Sequence, residues 1–199
     1  MIEVDTILGI AGSAISPSKT KSAVETSLNE AADVFDVETR LIHLAEYDIV
    51  TADGRTLDKY EGDTASVLEA IAESDAYIIG TPVYRAAYSG ELKNIFDMIP
   101  RGKWQADIAP LENSAVGLIA TGATEHHYLS IDQELRPIMA FFGAHTVGSS
   151  VYAYDNHFEN TTIIDDNIES RLEALGRATV ELANAVELSE TLTSFGPQI

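Results

Sequence analysis

The chain of 199 residues has no cysteine. Disulfide frameworks, thiolate nucleophiles and thiol-ligated metals are therefore excluded. Basic residues are scarce, 12 against 32 acidic ones, and only five of them are lysine. The formal net charge of −20 repels phosphate backbones and anionic lipid, which disfavours nucleic acid and membrane partners. No apolar run approaches the roughly 18 residues a membrane span requires. The opening MIEVDTILGI is acidic where a secretion signal is basic, so a cytoplasmic location is expected. Gly-x-Gly-x-x-Gly and Gly-Lys-Ser/Thr are both missing, which removes support for a Rossmann dinucleotide site or a P-loop. Histidines are few. His126 and His127 are adjacent, and about 100° of helical rotation between them prevents chelation of one ion; no metal site is expected.

Hydrophobic residues make up 45% of the chain, enough for one substantial core. A single domain over 1–188 is expected, with 189–199 a frayed tail that carries no period. Carboxylates are dispersed along the whole length and Lys is rare. That composition resembles proteins of salt-loving archaea, with an ordinary acidic protein as the alternative.

Apolar runs alternate with helical periods. Ile7, Leu8 and Ile10 form a buried run, and Val24, Leu28, Ala31 and Phe35 then draw a helical stripe. Val37–Leu44 reads as a second strand and 64–74 as a helix. Ala76–Gly80 is a third strand, followed by a helix over Glu91–Ile99. Ala115–Ala120 is the fourth, and Tyr128, Ile131, Leu135, Ile138 and Phe142 share the next stripe. Val147–Tyr154 is the fifth, and 166–188 the last helix. Five strand–helix alternations predict an α/β three-layer sandwich around a five-stranded parallel sheet. The order 2-1-3-4-5 of the flavodoxin-like fold fits, with a ligand at the switch point beyond the strands' carboxyl ends. An irregular acidic stretch, 46–62, reads as a lid or an oligomer contact. Pro137 lies inside a helical pattern, where its ring would meet the Gln133 carbonyl; a kink or π-type bulge is expected.

Three loops carry candidate chemistry. After strand one, Gly12-Ser13-Ala14-Ile15-Ser16-Pro17-Ser18-Lys19-Thr20-Lys21 opens a helix. Its free amides and dipole favour an anion, with Ser13, Ser18 and Thr20 as hydroxyl donors and Lys19 or Lys21 as charge. A serine-capped helix start is the plainer reading of the same residues. After strand three, Thr81-Pro82-Val83-Tyr84-Arg85 runs through Ala86-Ala87-Tyr88 into Ser89-Gly90 and the next helix. Pro82 suits a chain leaving the sheet, and the tyrosines offer aromatic surface. After strand four comes Thr121-Gly122-Ala123. Trp104, after Lys103, lines a pocket mouth or covers the sheet edge.

The stretch TPVYRAAYSGELKNIFDMIP resembles the signature of the NADPH-dependent FMN reductases, within them the reductase components of two-component alkanesulfonate monooxygenases. The likeness continues through TGATEHHYLSIDQELRPIMAFFGAHTV and SVYAYD, with a weaker match at GSAISPSKT. It implies a flavodoxin-like fold and an NAD(P)H-dependent FMN reductase using FMN with NADPH or NADH. No side chain is implied as catalytic, because the flavin carries the chemistry. The resemblance sets the FMN phosphate on Ser13, Ser18 and Thr20, with Lys19 as the available cation because Ile15 stands where the family often has Arg. The ribityl chain and ring fall against Pro82, Val83, Tyr84 and Arg85, with Ser89 and Gly90 nearby. Thr121, Gly122 and Ala123 meet the pyrimidine edge. Homodimers or homotetramers and a flavin-dependent monooxygenase partner are implied. A quinone or azo reductase with bound FMN, or a non-enzymatic flavodoxin-like carrier, are the alternatives.

Overall fold

The computed structural model describes residues 4–102 and 105–194. Strands β1 (Thr6–Ala11), β2 (Glu38–His43), β3 (Ala76–Pro82) and β4 (Ala115–Gly122) pair in parallel. Helices α1 (Lys19–Val34), α2 (Gly62–Ala72) and α3 (Gly90–Phe96) connect them. Beyond β4 come α4 (Arg136–Phe142), β5 (His145–Thr146) and β6 (Val151–Tyr154). A small antiparallel pair, β7 (Phe158–Glu159) and β8 (Thr162–Ile163), precedes α5 (Asp166–Glu187) and α6 (Glu190–Ser194). The sheet order is β2-β1-β3-β4-β5, with β6 also on β4. This is the flavodoxin-like order with a sixth strand attached.

The central strands are buried on both faces, as parallel strands between helix layers must be. Neighbouring residues point to opposite layers. Leu8, Ile79 and Leu118 join α2, α3 and α4 on one side; Ile7, Ile78 and Ile119 join α1 and α5 on the other. The α1–α5 contact is backbone-close. A Cβ on Gly176 would lie 2.1 Å from the Ser27 carbonyl oxygen, and the Ser27 hydroxyl donates to the Leu172 carbonyl at 2.7 Å. This contact fixes the angle at which α1 presents its N-terminus.

Of the expected fifth strand, Val147–Tyr154, only Val151–Tyr154 is strand (β6); residues 147–150 are not, and the short β5 lies just before them. β5 pairs with the start of β4 and β6 with its end. Arg136 accounts for the break: its guanidinium donates to the carbonyls of Val147 (3.0 Å) and Gly148 (2.9 Å) and to the Thr146 hydroxyl (2.9 Å). Those carbonyls are thereby taken up by a side chain outside the sheet.

The stripe from Tyr128 to Phe142 also divides. A single 3-10 turn covers Glu125–His127, a π-helical turn covers Ile131–Leu135, and α4 follows. Tyr128 is 61% exposed and drops out of the buried face. The π turn sits just before Pro137, where the missing N–H and the ring leave the Gln133 carbonyl without a regular partner. The stretch 46–62 is tied down. Asn94 accepts from the Ala52 amide (2.8 Å) and donates to the Val50 carbonyl (2.9 Å), while Tyr47, Ile49 and Leu57 pack on the core. α6 falls where no helical period was visible.

Candidate functional site

Every strand of a doubly wound sheet ends at the same edge, and the loops there face outward at the point where strand order reverses. Here that point lies between β1 and β3. A cleft of about 530 Å³ opens beside it, within the usual range for a small-molecule site.

Its first wall is the start of α1. Ser18 is the N-cap: its φ and ψ are extended and its hydroxyl accepts from the Lys21 amide at 3.2 Å. The amides of Lys19 and Thr20 have no acceptor within the helix. They face an edge that also carries Ser13, whose hydroxyl donates to the Ile15 carbonyl at 3.1 Å. Ser13, Ile15, Pro17, Ser18, Lys19 and Thr20 all line the cleft.

The second wall is the end of β3. Pro82, Val83 and Tyr84 line it. The chain then reverses in two residues: the Tyr84 and Ala87 amides each donate to the other's carbonyl, at 2.9 and 3.2 Å. Arg85 (φ 54) and Ala86 (φ 68) occupy the left-handed region at the centre of this turn, as in a type I′ hairpin turn. A residue with a Cβ costs about 1 kcal/mol there. Such strain persists only where the surroundings over-determine it.

The third wall is Thr121 and Gly122, which end β4, and Ala123 just beyond. It is clipped to the second by the Val83 amide, which donates to the Thr121 carbonyl at 2.7 Å. It is joined to the first by Thr20 Oγ1 and Thr121 Oγ1, 2.6 Å apart and buried. One of these hydroxyls donates to the other, so one proton of the pair stays free. Beneath the loop, Tyr152 donates to the Thr124 carbonyl, and burial holds its phenol above the ordinary tyrosine range.

Arg85, Ser89 and Gly90 do not line the cleft. Arg85 is exposed on the tight turn. Ser89 is fully buried underneath: its hydroxyl donates to the Gly12 carbonyl and accepts from the Leu92 amide to cap α3, and its amide donates to Thr81 Oγ1 at 3.0 Å. Ser89 thus fastens the second wall to the first from below. Gly90 opens α3, and a Cβ there would meet nothing. Lys103 and Trp104 lie outside the described residues.

Asp155, Asn160 and Thr161 also line the cleft, and the sequence reading did not single them out. They come from the end of β6 and the β7–β8 turn, where Asn160 has φ 56. A strand ending in SVYAYD beside Gly122 was a usable signal for Asp155; the two-residue strands that carry the others have none. Asp155 matters electrically. Its carboxylate meets Lys19 Nζ at 2.7 Å, and the Phe158 ring lies 5.6 Å from the same ammonium. Lys21 turns to Glu46 at 2.5 Å, and that hydrogen bond, aided by His43, lowers the Glu46 carboxyl below its ordinary value.

The donor set suits a flavin mononucleotide. Short neutral donors gather at one end around a helix start, as a phosphate monoester needs. Narrow backbone walls from β3 and β4 flank the other end, as a flat ring needs. Among the described residues no three His, Asp or Glu side chains are grouped to hold a metal, and no helix is long and apolar enough to cross a membrane.

Order, layers and cleft define a doubly wound α/β protein of the flavodoxin-like class. Residues 6–159 match the family described as NADPH-dependent FMN reductase, and the chain belongs to that family. It is 36% identical over 178 residues to an "NAD(P)H-dependent FAD/FMN reductase" of Geobacillus thermodenitrificans, covering 88% of this chain and 92% of that one. An "FMN reductase (NADPH)" of Pseudomonas aeruginosa is 32% identical over 83% of this chain and 86% of its own. Among solved structures, an apo NADH:FMN oxidoreductase superposes with a TM-score of 0.73 at 24% identity, covering 95% and 94% of the two chains; at that identity it supports the fold alone.

Proposed function

We propose that this chain is an NAD(P)H-dependent FMN reductase, and that the cleft beyond β1, β3 and β4 is its flavin site. The convergence of those three loops on one cleft carries the reading. The amides of Lys19 and Thr20, with Ser13, Ser18 and the free proton of the Thr20–Thr121 pair, hold the phosphate. Lys19 stands at its edge. Pro82, Val83 and Tyr84 flank the ribityl chain and ring, and Thr121, Gly122 and Ala123 meet the pyrimidine edge. Arg85, exposed beside the rim, meets the phosphates of the dinucleotide, which otherwise approach a chain of their own sign. Ser89 and Gly90 support this wall from outside the cleft.

Bound there, FMN supplies the hydride acceptor for NADH or NADPH. The protein's part is to set the two rings in contact and keep water from between them. Tyr84, 44% exposed at the rim, is placed to shape the nicotinamide side. Hydride transfer itself asks no side chain for a proton, and none in the cleft is assigned that task.

Residues 1–188 act as one cytoplasmic domain, adapted to high salt. Homo-oligomers form through the irregular segment that carries Tyr128, Leu129 and Phe141. Reduced flavin passes to a flavin-dependent monooxygenase. The decisive experiment mixes purified protein, FMN and each nicotinamide, and follows nicotinamide absorbance in low and molar KCl. Oxidation that requires added FMN is expected; no oxidation with either dinucleotide under either condition overturns the reading.

A further inference from the structure

Lys19 is the only cationic side chain that lines the cleft among the described residues, and Asp155 the only anionic one. They are joined, Nζ to Oδ1, at 2.7 Å. The two residues lie 136 positions apart in sequence, and three features aim them at each other. Ser18 caps α1 and so sets where Lys19 begins its climb. The pairing of Tyr154 with Gly122 brings the end of β6 to the cleft. The Phe158 ring receives the underside of the Lys19 ammonium. The other lysine of the loop, Lys21, points to Glu46 and is also compensated. The phosphate end of the cleft therefore offers amides and hydroxyls but no uncompensated cation, and it holds a carboxylate.

We infer that Asp155 is a specificity-determining residue that weakens the grip on the phosphate and so makes the flavin a dissociable substrate. The inference rests on the flavin-site reading above. A phosphate monoester is close to doubly negative at neutral pH. Lys19 alone would attract it, whereas the Lys19–Asp155 pair has zero net charge and presents one like charge at close range. Riboflavin has the same ring and ribityl chain without the phosphate, so Asp155 leaves its binding nearly unaffected. The affinity ratio of FMN to riboflavin isolates the carboxylate's effect from every contact with the ring.

The test titrates FMN and riboflavin, by quenching of flavin fluorescence, into the wild-type chain, Asp155→Asn, Lys19→Met and the double variant, all in one buffer at one KCl concentration. Asp155→Asn is expected to tighten FMN roughly tenfold, about 1.4 kcal/mol, with riboflavin changed less than about twofold. Lys19→Met leaves the carboxylate uncompensated and is expected to weaken FMN by a similar factor. The double variant, neutral at both positions, returns the ratio to within about threefold of wild type. Asp155 is exposed at the start of a single turn, and Asp155→Ser repeats the test if the asparagine variant does not fold. An unchanged or reduced ratio in Asp155→Asn overturns the inference while leaving the flavin site standing. Absence of binding by either flavin to wild type overturns the flavin site itself.

Discussion

Thr20 on α1 and Thr121 at the end of β4 share one hydrogen bond, 2.6 Å between their hydroxyl oxygens, in the lining of the cleft. Both side chains are buried, at 2% and 5% exposure, so neither hydroxyl can fall back on water. Thr121→Val strands the Thr20 hydroxyl, and a stranded buried hydroxyl costs about 1–3 kcal/mol. Thr20→Val does the same from the other side. The double variant removes both polar groups and is expected to cost less than the two single changes added together. Flavin affinity behaves differently. It falls in the double variant, which has no hydroxyl proton left to donate, and is largely kept in either single variant, whose remaining hydroxyl no longer has to donate to its neighbour. Urea unfolding and flavin titration on the same preparations separate the two effects; additive stability losses would count against the shared bond.

Gly122 has a steric reason to be glycine. A Cβ there would stand 2.1 Å from the Tyr152 hydroxyl and 3.1 Å from its Cζ. Gly122→Ala therefore pushes the ring away, breaks its bond to the Thr124 carbonyl and moves the third wall of the cleft. A loss of FMN affinity of about tenfold is expected, about 1.4 kcal/mol. Gly122→Ala/Tyr152→Phe deletes the nearest clashing atom and is expected to recover part of that loss. Equal affinity in the single and double variants would place the cause elsewhere than Tyr152.

Much of the architecture is legible in local pattern, and the reasons are visible in particular residues. AYIIG is a buried strand because both its faces meet helices. Ser18 caps a helix start that it also announces, and Pro82 marks where β3 leaves the sheet. The order follows from alternation and the handedness of crossovers. The unread parts depend on long-range partners. Arg136 breaks the fifth strand by taking two of its carbonyls, and nothing near Val147 in sequence signals that. Asp155 captures Lys19 from 136 positions away, turning an expected phosphate cation into half of a neutral pair. Ser89 was legible as polar and close to the site, but only its bonds to Gly12 and Leu92 show that it works from below. Arg85 and Ala86 carry no glycine or asparagine to announce left-handed backbone.

Tyr77 gives the fold a pH dependence on the alkaline side. Its hydroxyl, fully buried, donates toward the carbonyls of Ile71 (2.6 Å), Ser74 (3.0 Å) and Pro110 (3.2 Å). Burial, with the charge of Asp75 adding to it, raises the phenol well above its ordinary value of 10.0. A folded value above the unfolded one means the unfolded chain loses its proton first. The contribution is therefore whole below about pH 10 and is lost as pH rises from there toward the folded value. Tyr77→Phe should cost about 1–2 kcal/mol at neutral pH, since the one phenolic proton shared among these buried carbonyls is lost. It should also flatten the fall in the urea midpoint between about pH 9 and about pH 11. Parallel curves for wild type and variant would show that another group controls alkaline unfolding.

Tyr128 (61% exposed), Leu129 (44%) and Phe141 (57%) put apolar surface on one irregular helical segment, with the Arg101 guanidinium 3.6 Å above the Phe141 ring. Exposed apolar and aromatic residues are enriched at association surfaces. Sedimentation in molar KCl is expected to show a dimer or tetramer. Leu129→Asp places a charge on that surface and should shift the distribution toward monomer without changing the helical circular dichroism. A wild-type monomer at every concentration removes this surface as an interface.

The net charge of −20 makes salt a stability variable with a definite sign. Two effects compete when KCl is added. Surface ion pairs such as Lys21–Glu46 and Arg55–Asp53 are weakened, but exposed pairs contribute little, typically below 1 kcal/mol each. Repulsion among the carboxylates is screened at the same time, and acidic residues outnumber basic ones by 20. The Debye length falls from about 10 Å at 0.1 M to about 3 Å at 1 M, shorter than most spacings between surface charges, so the repulsive sum collapses first. The thermal midpoint is therefore expected to rise steadily from low salt to about 1 M KCl and to level off beyond it. Potassium chloride and potassium glutamate at equal ionic strength should act alike over the rising part, since screening is indifferent to the anion. A midpoint that is flat or falls over that range would show that the carboxylates are too far apart to matter, and would leave the acidic composition without a role in stability.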